Sequence, residues 1–134
     1  MLLRIDHIGI AVRNMAESNE TFRRLLGEAN YKVETVESEK VATSFFRIGE
    51  SKIELLEATD PESPIAKYIE KRGEGIHHIA FEVDDIRAAI DYLEQVGFIP
   101  LNREPKRGAD NKWVAFFHPK TCHGVLVEVC QTIA

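Results

Sequence analysis

Four residues of this chain have the types and spacing to hold a divalent metal: His7, Glu54, His78 and Glu128. Each sits in a short apolar run: Asp6-His7-Ile8-Gly9-Ile10, Ile53-Glu54-Leu55, His77-His78-Ile79-Ala80 and Val127-Glu128-Val129. Runs of this kind, rich in Ile and Val, are strands. A carboxylate in the middle of an apolar strand is costly to bury unless it is paired or bound to a cation. Two imidazoles and two carboxylates neutralise a divalent ion and leave coordination positions for water or substrate. Taken singly, a strand histidine or glutamate is usually an ordinary core or surface residue. The quartet resists that explanation because of where its members stand.

They stand at equivalent places in a repeat. A shift of 71 residues lays His7 on His78, Val12 on Val83 and Asn14 on Asp85. Later, Phe45-Phe46 and Ile53-Glu54-Leu55 match Phe116-Phe117 and Val127-Glu128-Val129, with the glutamates 74 residues apart because the last turn is longer. Such self-similarity marks a duplicated structural unit. On the first strand, His7, Gly9 and Ala11 share one face and Ile8, Ile10 and Val12 the other. Small residues around His7 leave room for a bound group. His78, Ala80 and Glu82 repeat the arrangement.

The elements that position these residues follow the same order twice. Residues 3–12 read as a strand. Asn14 caps a helix with Glu17 three residues on, and Met15, Ser18, Phe22, Leu25 and Leu26 lie on one face. Strands follow at 30–37, 41–49 and 52–58, with Gly49-Glu50-Ser51 as a hairpin turn. The second half has a strand at 76–83, Asp84 or Asp85 as cap, a helix at 86–96 that ends at Gly97, and strands near 98–103, 112–118 and 124–131. Ser63-Pro64 opens a linking helix over 63–72, and Gly73 stops it. The expectation is an α+β fold: two βαβββ modules, roughly 1–58 and 76–134, in one domain spanning 1–134. They would form a half-open mixed β-barrel-like cleft with the helices outside.

Bulk properties exclude other classes. The chain has 134 residues, 44% of them hydrophobic, so it can build a packed core. The net charge is -5 and the basic residues are scattered, which argues against nucleic acid as a partner. No apolar run approaches a bilayer span, so no membrane is expected. The start runs directly into a strand pattern rather than a secretory signal. Cys122 and Cys130 do not form a CxxC pair, and two free thiols in a reducing cytoplasm are expected. His77 points away from His78 and reads as a supporting residue; His118 and His123 flank a turn.

The His, Glu, His, Glu order in a duplicated βαβββ unit resembles the vicinal-oxygen-chelate superfamily. That superfamily includes glyoxalase I, extradiol dioxygenases, fosfomycin-resistance proteins and methylmalonyl-CoA epimerases. The strings Lys52-Ile53-Glu54-Leu55-Leu56-Glu57, Ser63-Pro64-Ile65-Ala66-Lys67, Gly75-Ile76-His77-His78-Ile79-Ala80, Phe116-Phe117-His118-Pro119-Lys120 and Gly124-Val125-Leu126-Val127-Glu128 are similar to the epimerases. The resemblance covers essentially the whole chain.

The resemblance implies a cytoplasmic homodimer acting on an acyl-CoA substrate, with Co²⁺ or else Zn²⁺, Mn²⁺ or Ni²⁺ as cofactor. It implies interconversion of (R)- and (S)-methylmalonyl-CoA in propionate metabolism, by proton abstraction next to the thioester through a metal-stabilised enolate. Some epimerases carry a glutamate where this chain has Thr43, and a glutamine where it has Glu54. Thr43 is no base, so Glu54 and Glu128 are the expected catalytic pair, as resemblance to glyoxalase I suggests. A polyanionic CoA needs positive surface, and Arg103, Lys106, Arg107, Lys112 and Lys120 are candidates. The alternative function is a glyoxalase I-type lyase acting on a methylglyoxal–thiol hemithioacetal. A ring-cleaving dioxygenase and a metal-free binding protein are weaker rivals, because all four ligands are present.

Overall fold

The computed structural model describes residues 1–134. In chain order the elements are β1 (Leu2–Ala11), α1 (Met15–Leu26), β2 (Lys32–Val36), β3 (Val41–Ile48), β4 (Ser51–Ala58), α2 (Pro64–Arg72), β5 (Gly75–Val83), α3 (Ile86–Gln95), β6 (Lys106–Arg107), β7 (Lys112–Phe117) and β8 (Val127–Thr132). The class is α+β, and no helix is long and apolar enough to cross a membrane. Contacts divide the chain into two units, Ile8–His77 and Met1–His7 with His78–Ala134. The chain passes between them inside β1 and inside β5.

In the Ile8–His77 unit, the strand order is β2-β3-β4-β1. β3 lies antiparallel to both β2 and β4, with Phe45 opposite Glu54. Helix α1 buries its apolar face, Phe22 and Leu26, against Val12, Phe46 and Leu55. Helix α2 places Ile65 and Tyr68 against Ala11, Val41 and Leu56.

The second unit repeats the pattern as β5-β8-β7-β6. β8 is parallel to β5 and antiparallel to β7, with Phe116 opposite Glu128. Ile86, Ala89 and Ile90 of α3 pack on Val83, Ala115, Phe117 and Val129. Burying the two isoleucines alone contributes about 4 kcal/mol. Ala80, Val114, Phe116 and Cys130 cluster elsewhere, with Ala80 the partner of Glu128.

The duplication extends to the helix caps. Asn14 Oδ1 accepts the Glu17 N–H, and Asp85 Oδ1 accepts the Ala88 N–H. The first N–H of α1, on Met15, donates to Glu57 Oε2 of β4 at 2.9 Å. The first N–H of α3, on Ile86, donates to Gln131 Oε1 of β8 at 2.8 Å. Each helix thus has its first N–H satisfied from the last strand of its own module and its third from its own cap residue. Gly27 ends α1 at φ 81°, a left-handed conformation in which glycine carries no steric cost.

Three expectations need correction. The strand expected at 98–103 is absent: that stretch makes only an isolated bridge, Pro100 to Phe117, and the regular edge strand is Lys106–Arg107. Proline has no N–H to donate to a ladder, so Pro100 and Pro105 break the run. Hydrogen bonds from Leu101 N–H to the Phe116 carbonyl and from His118 N–H to the Ile99 carbonyl hold the segment beside β7. The last strand begins at Val127 rather than 124, after a turn in which His123 and Gly124 have positive φ. Leu25, expected on the buried face of α1, is exposed. Both cysteines are free thiols, Cys130 buried and Cys122 partly so.

Candidate metal centre

His7 reaches the centre from β1 and His78 from β5, both in the same unit as Glu128 on β8. His78, Ala80 and Glu82 alternate onto one face of β5, and the parallel pairing sets Ala80 beside Glu128. His7, His78 and Glu128 are 6%, 5% and 4% exposed. Their ligand atoms converge. His7 Nε2 is 2.9 Å from His78 Nε2. Glu128 Oε1 is 3.2 Å from His78 Nε2 and 3.6 Å from His7 Nε2. The two rings meet edge to face with centroids 5.0 Å apart, and Phe116 packs edge-on against His78 at 5.7 Å.

The tautomer of His7 follows from its other nitrogen. Nδ1 lies 2.8 Å from Asp6 Oδ2. A carboxylate accepts, so Nδ1–H donates and Nε2 carries the lone pair. That lone pair points at a second imidazole nitrogen and a carboxylate oxygen. One proton between the two nitrogens satisfies a single pair of these three atoms. A divalent cation satisfies all three, and two imidazoles with a carboxylate suit a first-row ion. The residues present fit a metal.

The electrostatics agree. Burial on its own would push the Glu128 carboxyl up. Without a metal, a proton on Nε2 of His7 and His78 lets their charges and hydrogen bonds outweigh it and hold the carboxyl at about 2. Glu128 is therefore the anion that metal ligation requires.

Glu54 belongs to the Ile8–His77 unit, on β4, where it is 4% exposed. Its Oε2 lies 3.8 Å from the equally buried Lys52 Nζ. It holds the place in β4 that Glu128 holds in β8, each opposite a phenylalanine. Thr43 is buried opposite Leu56. His77 packs against Tyr68, ring centroids 4.8 Å apart. His118 caps the short helical turn Pro119–Thr121 through Nδ1, which accepts the Lys120 N–H. Both are supporting roles.

A match to the family model for the glyoxalase/bleomycin resistance protein/dioxygenase superfamily spans residues 6–116. The chain belongs to that superfamily. Within it, this superfamily member groups with the epimerases. It is 40% identical over 133 residues to an ethylmalonyl-CoA/methylmalonyl-CoA epimerase of Cereibacter sphaeroides, covering 98% of this chain and 99% of that one. It is 39% identical to an uncharacterised Bacillus subtilis protein, covering 96% of this chain and 91% of the relative. It superposes with a TM-score of 0.94 on a Streptomyces coelicolor methylmalonyl-CoA epimerase solved with 2-nitronate-propionyl-CoA. That pair shares 37% identity over 100% of this chain and 97% of the other.

Two residues stand beside the centre in places the sequence did not indicate. Asp6 is 3% exposed and holds His7; a carboxylate next to a strand histidine is the signal that could have found it. Lys112, considered above for CoA, is buried, with its ammonium between Asp6 and Glu82. Arg103, another CoA candidate, is held by Glu94 and Asp91, and Arg107 lies over the Trp113 ring.

Proposed function

We propose that this protein is a metal-dependent methylmalonyl-CoA epimerase, with His7, Glu54, His78 and Glu128 as ligands to one divalent ion. The observation that carries the reading is the convergence of His7, His78 and Glu128 in a chain whose relatives bear that name. The place of Glu54 rests on the repeat: it is the buried counterpart of Glu128. When bound, the ion supplies a Lewis acid and a template for two substrate oxygens. Co²⁺ is the proposed ion, with Zn²⁺, Mn²⁺ and Ni²⁺ offering similar coordination chemistry.

The proton movements belong to the side chains. The substrate carbon to be inverted carries one hydrogen between a thioester and a carboxylate. One glutamate removes that proton, leaving an enolate delocalised into the thioester. The other returns a proton to the opposite face, and the reverse reaction exchanges their roles. One C–H bond breaks and one forms, so no oxidant or co-reactant is needed. Glu54 and Glu128 are the proposed pair. Thr43 offers no such group, and the environment of Glu128 keeps it anionic.

The proposed setting is a homodimer in the cytoplasm. The exposed Leu2, Leu3 and Ile5 at the start of β1 support an interface.

Deuterium entry at C2 tests the reaction. Co²⁺-loaded protein with methylmalonyl-CoA in D₂O should exchange the C2 proton at the rate of epimerisation. Glu54→Gln should retain Co²⁺ and slow exchange on the order of 10²- to 10⁴-fold, the usual contribution of a positioned base. Near-wild-type exchange in that variant removes Glu54 as a base. Absence of exchange in the wild type discards the substrate.

A further inference from the structure

We propose that Lys112 is a positioning residue for the metal centre, acting through Asp6 on His7. The inference rests on the metal reading above, and it adds a residue outside the ligand set.

Lys112 opens β7 opposite Thr132 of β8 and is 7% exposed. Its Nζ donates to Thr132 Oγ1 at 2.9 Å and lies 3.5 Å from both Asp6 Oδ1 and Glu82 Oε2. The outer oxygen of Glu82 takes Arg4 Nη2 at 2.7 Å. Asp6 is thus divided: Oδ1 faces the ammonium, and Oδ2 takes the Nδ1 proton of His7 at 2.8 Å. The ammonium beside Oδ1 opposes rotation of the carboxylate about its Cβ–Cγ bond. It thereby favours the orientation in which Oδ2 faces the imidazole. That contact sets both the tautomer and the tilt of the ring, and so the direction of the Nε2 lone pair. The lone pair is directed at His78 Nε2 and Glu128 Oε1.

Stability alone is a weak reason to keep such a network. Buried ion pairs recover little beyond their desolvation cost, and apolar residues of similar volume commonly serve as well. The chain instead places a buried lysine next to the carboxylate that holds a candidate ligand. Supporting partners of metal-bound histidines typically set metal affinity by 10- to 100-fold.

The test is a double-mutant cycle read by Co²⁺ affinity, with a competing chelator, on proteins shown to be folded by circular dichroism. Lys112→Met and Asp6→Asn should each weaken Co²⁺ binding about 10- to 100-fold. The double variant should bind about as weakly as Asp6→Asn alone, because Lys112 acts through Asp6. Lys112→Met combined with Glu82→Gln leaves one fewer unpaired buried charge, and it should show the same loss if Lys112→Met alone does not fold. Glu82→Gln by itself should stay within about threefold of wild type, since Glu82 does not touch His7. A second readout uses the metal-free protein: long-range ¹H–¹⁵N spectra should show His7 protonated on Nδ1, with that state disturbed in Lys112→Met. Multiplying losses in the double variant, or unchanged affinity and an unchanged His7 spectrum in Lys112→Met, overturn the proposal. A wild-type protein that binds no Co²⁺ overturns the metal reading instead, and the His7 spectra then decide the role of Lys112.

Discussion

Glu128→Gln should flatten the acid limb of the stability curve of the metal-free protein. In the folded chain the Glu128 carboxyl sits at about 2 against an ordinary 4.5, because two imidazoles outweigh the cost of its burial. A carboxyl depressed in the folded state stabilises that state fully above its ordinary value. The stabilisation is lost as pH falls through 4.5 towards 2. A shift of this size corresponds to about 3 kcal/mol, and about 2 kcal/mol of it has gone by pH 3. Glutamine takes up no proton in this range, so the variant lacks that loss. The assay is urea unfolding of chelator-treated wild type and variant at pH steps from 7 to 3. Both curves fall as other groups titrate, but the wild-type curve should fall about 2 kcal/mol further. The difference should open only below pH 5. Parallel curves would refute the claim that His7 and His78 hold Glu128 as an anion. A difference that opens between pH 6 and 7 would assign the titration to the histidines instead.

Metal should stabilise the fold: Co²⁺ at 100 times its dissociation constant should add about 2.7 kcal/mol to unfolding, and a chelator should remove it. An unfolding midpoint indifferent to Co²⁺ would count against the metal centre. Phe117→Ala, which empties a position at 1% exposure between α3 and its strands, should cost about 3 to 5 kcal/mol with an unchanged denaturant slope.

How far the sequence could be read depended on the reach of each interaction. The caps at Asn14 and Asp85 act within three residues, and the strand alternation around His7 and His78 within two. Such features are written next to one another in the chain, and the structure has them as expected. The failures lie where a longer-range choice decides. The stretch 98–103 has enough apolar residues for a strand, but Pro100 and Pro105 move the regular pairing to Lys106–Arg107. The apolar stripe of α1 is wide enough to include Leu25, but Phe22 and Leu26 meet the core and Leu25 faces solvent.

The charged residues around Lys112 show the same limit at the site itself. In sequence, Lys112 stands in a polar stretch with Lys106 and Arg107 and reads as a surface cation. Only the pairing of β7 with β8 turns it inward, to Thr132 and to an aspartate 106 residues away in the chain. The repeat gave no help here, because the support is not repeated. The 71-residue shift that lays His7 on His78 lays Asp6 on His77, and His77 packs against Tyr68. The duplication supplies matched pairs of histidines, glutamates and helix caps. The hydrogen bond that settles which nitrogen of His7 faces the centre comes from one half only. Symmetry therefore points to the proposed ligands and passes over the residue proposed to aim one of them.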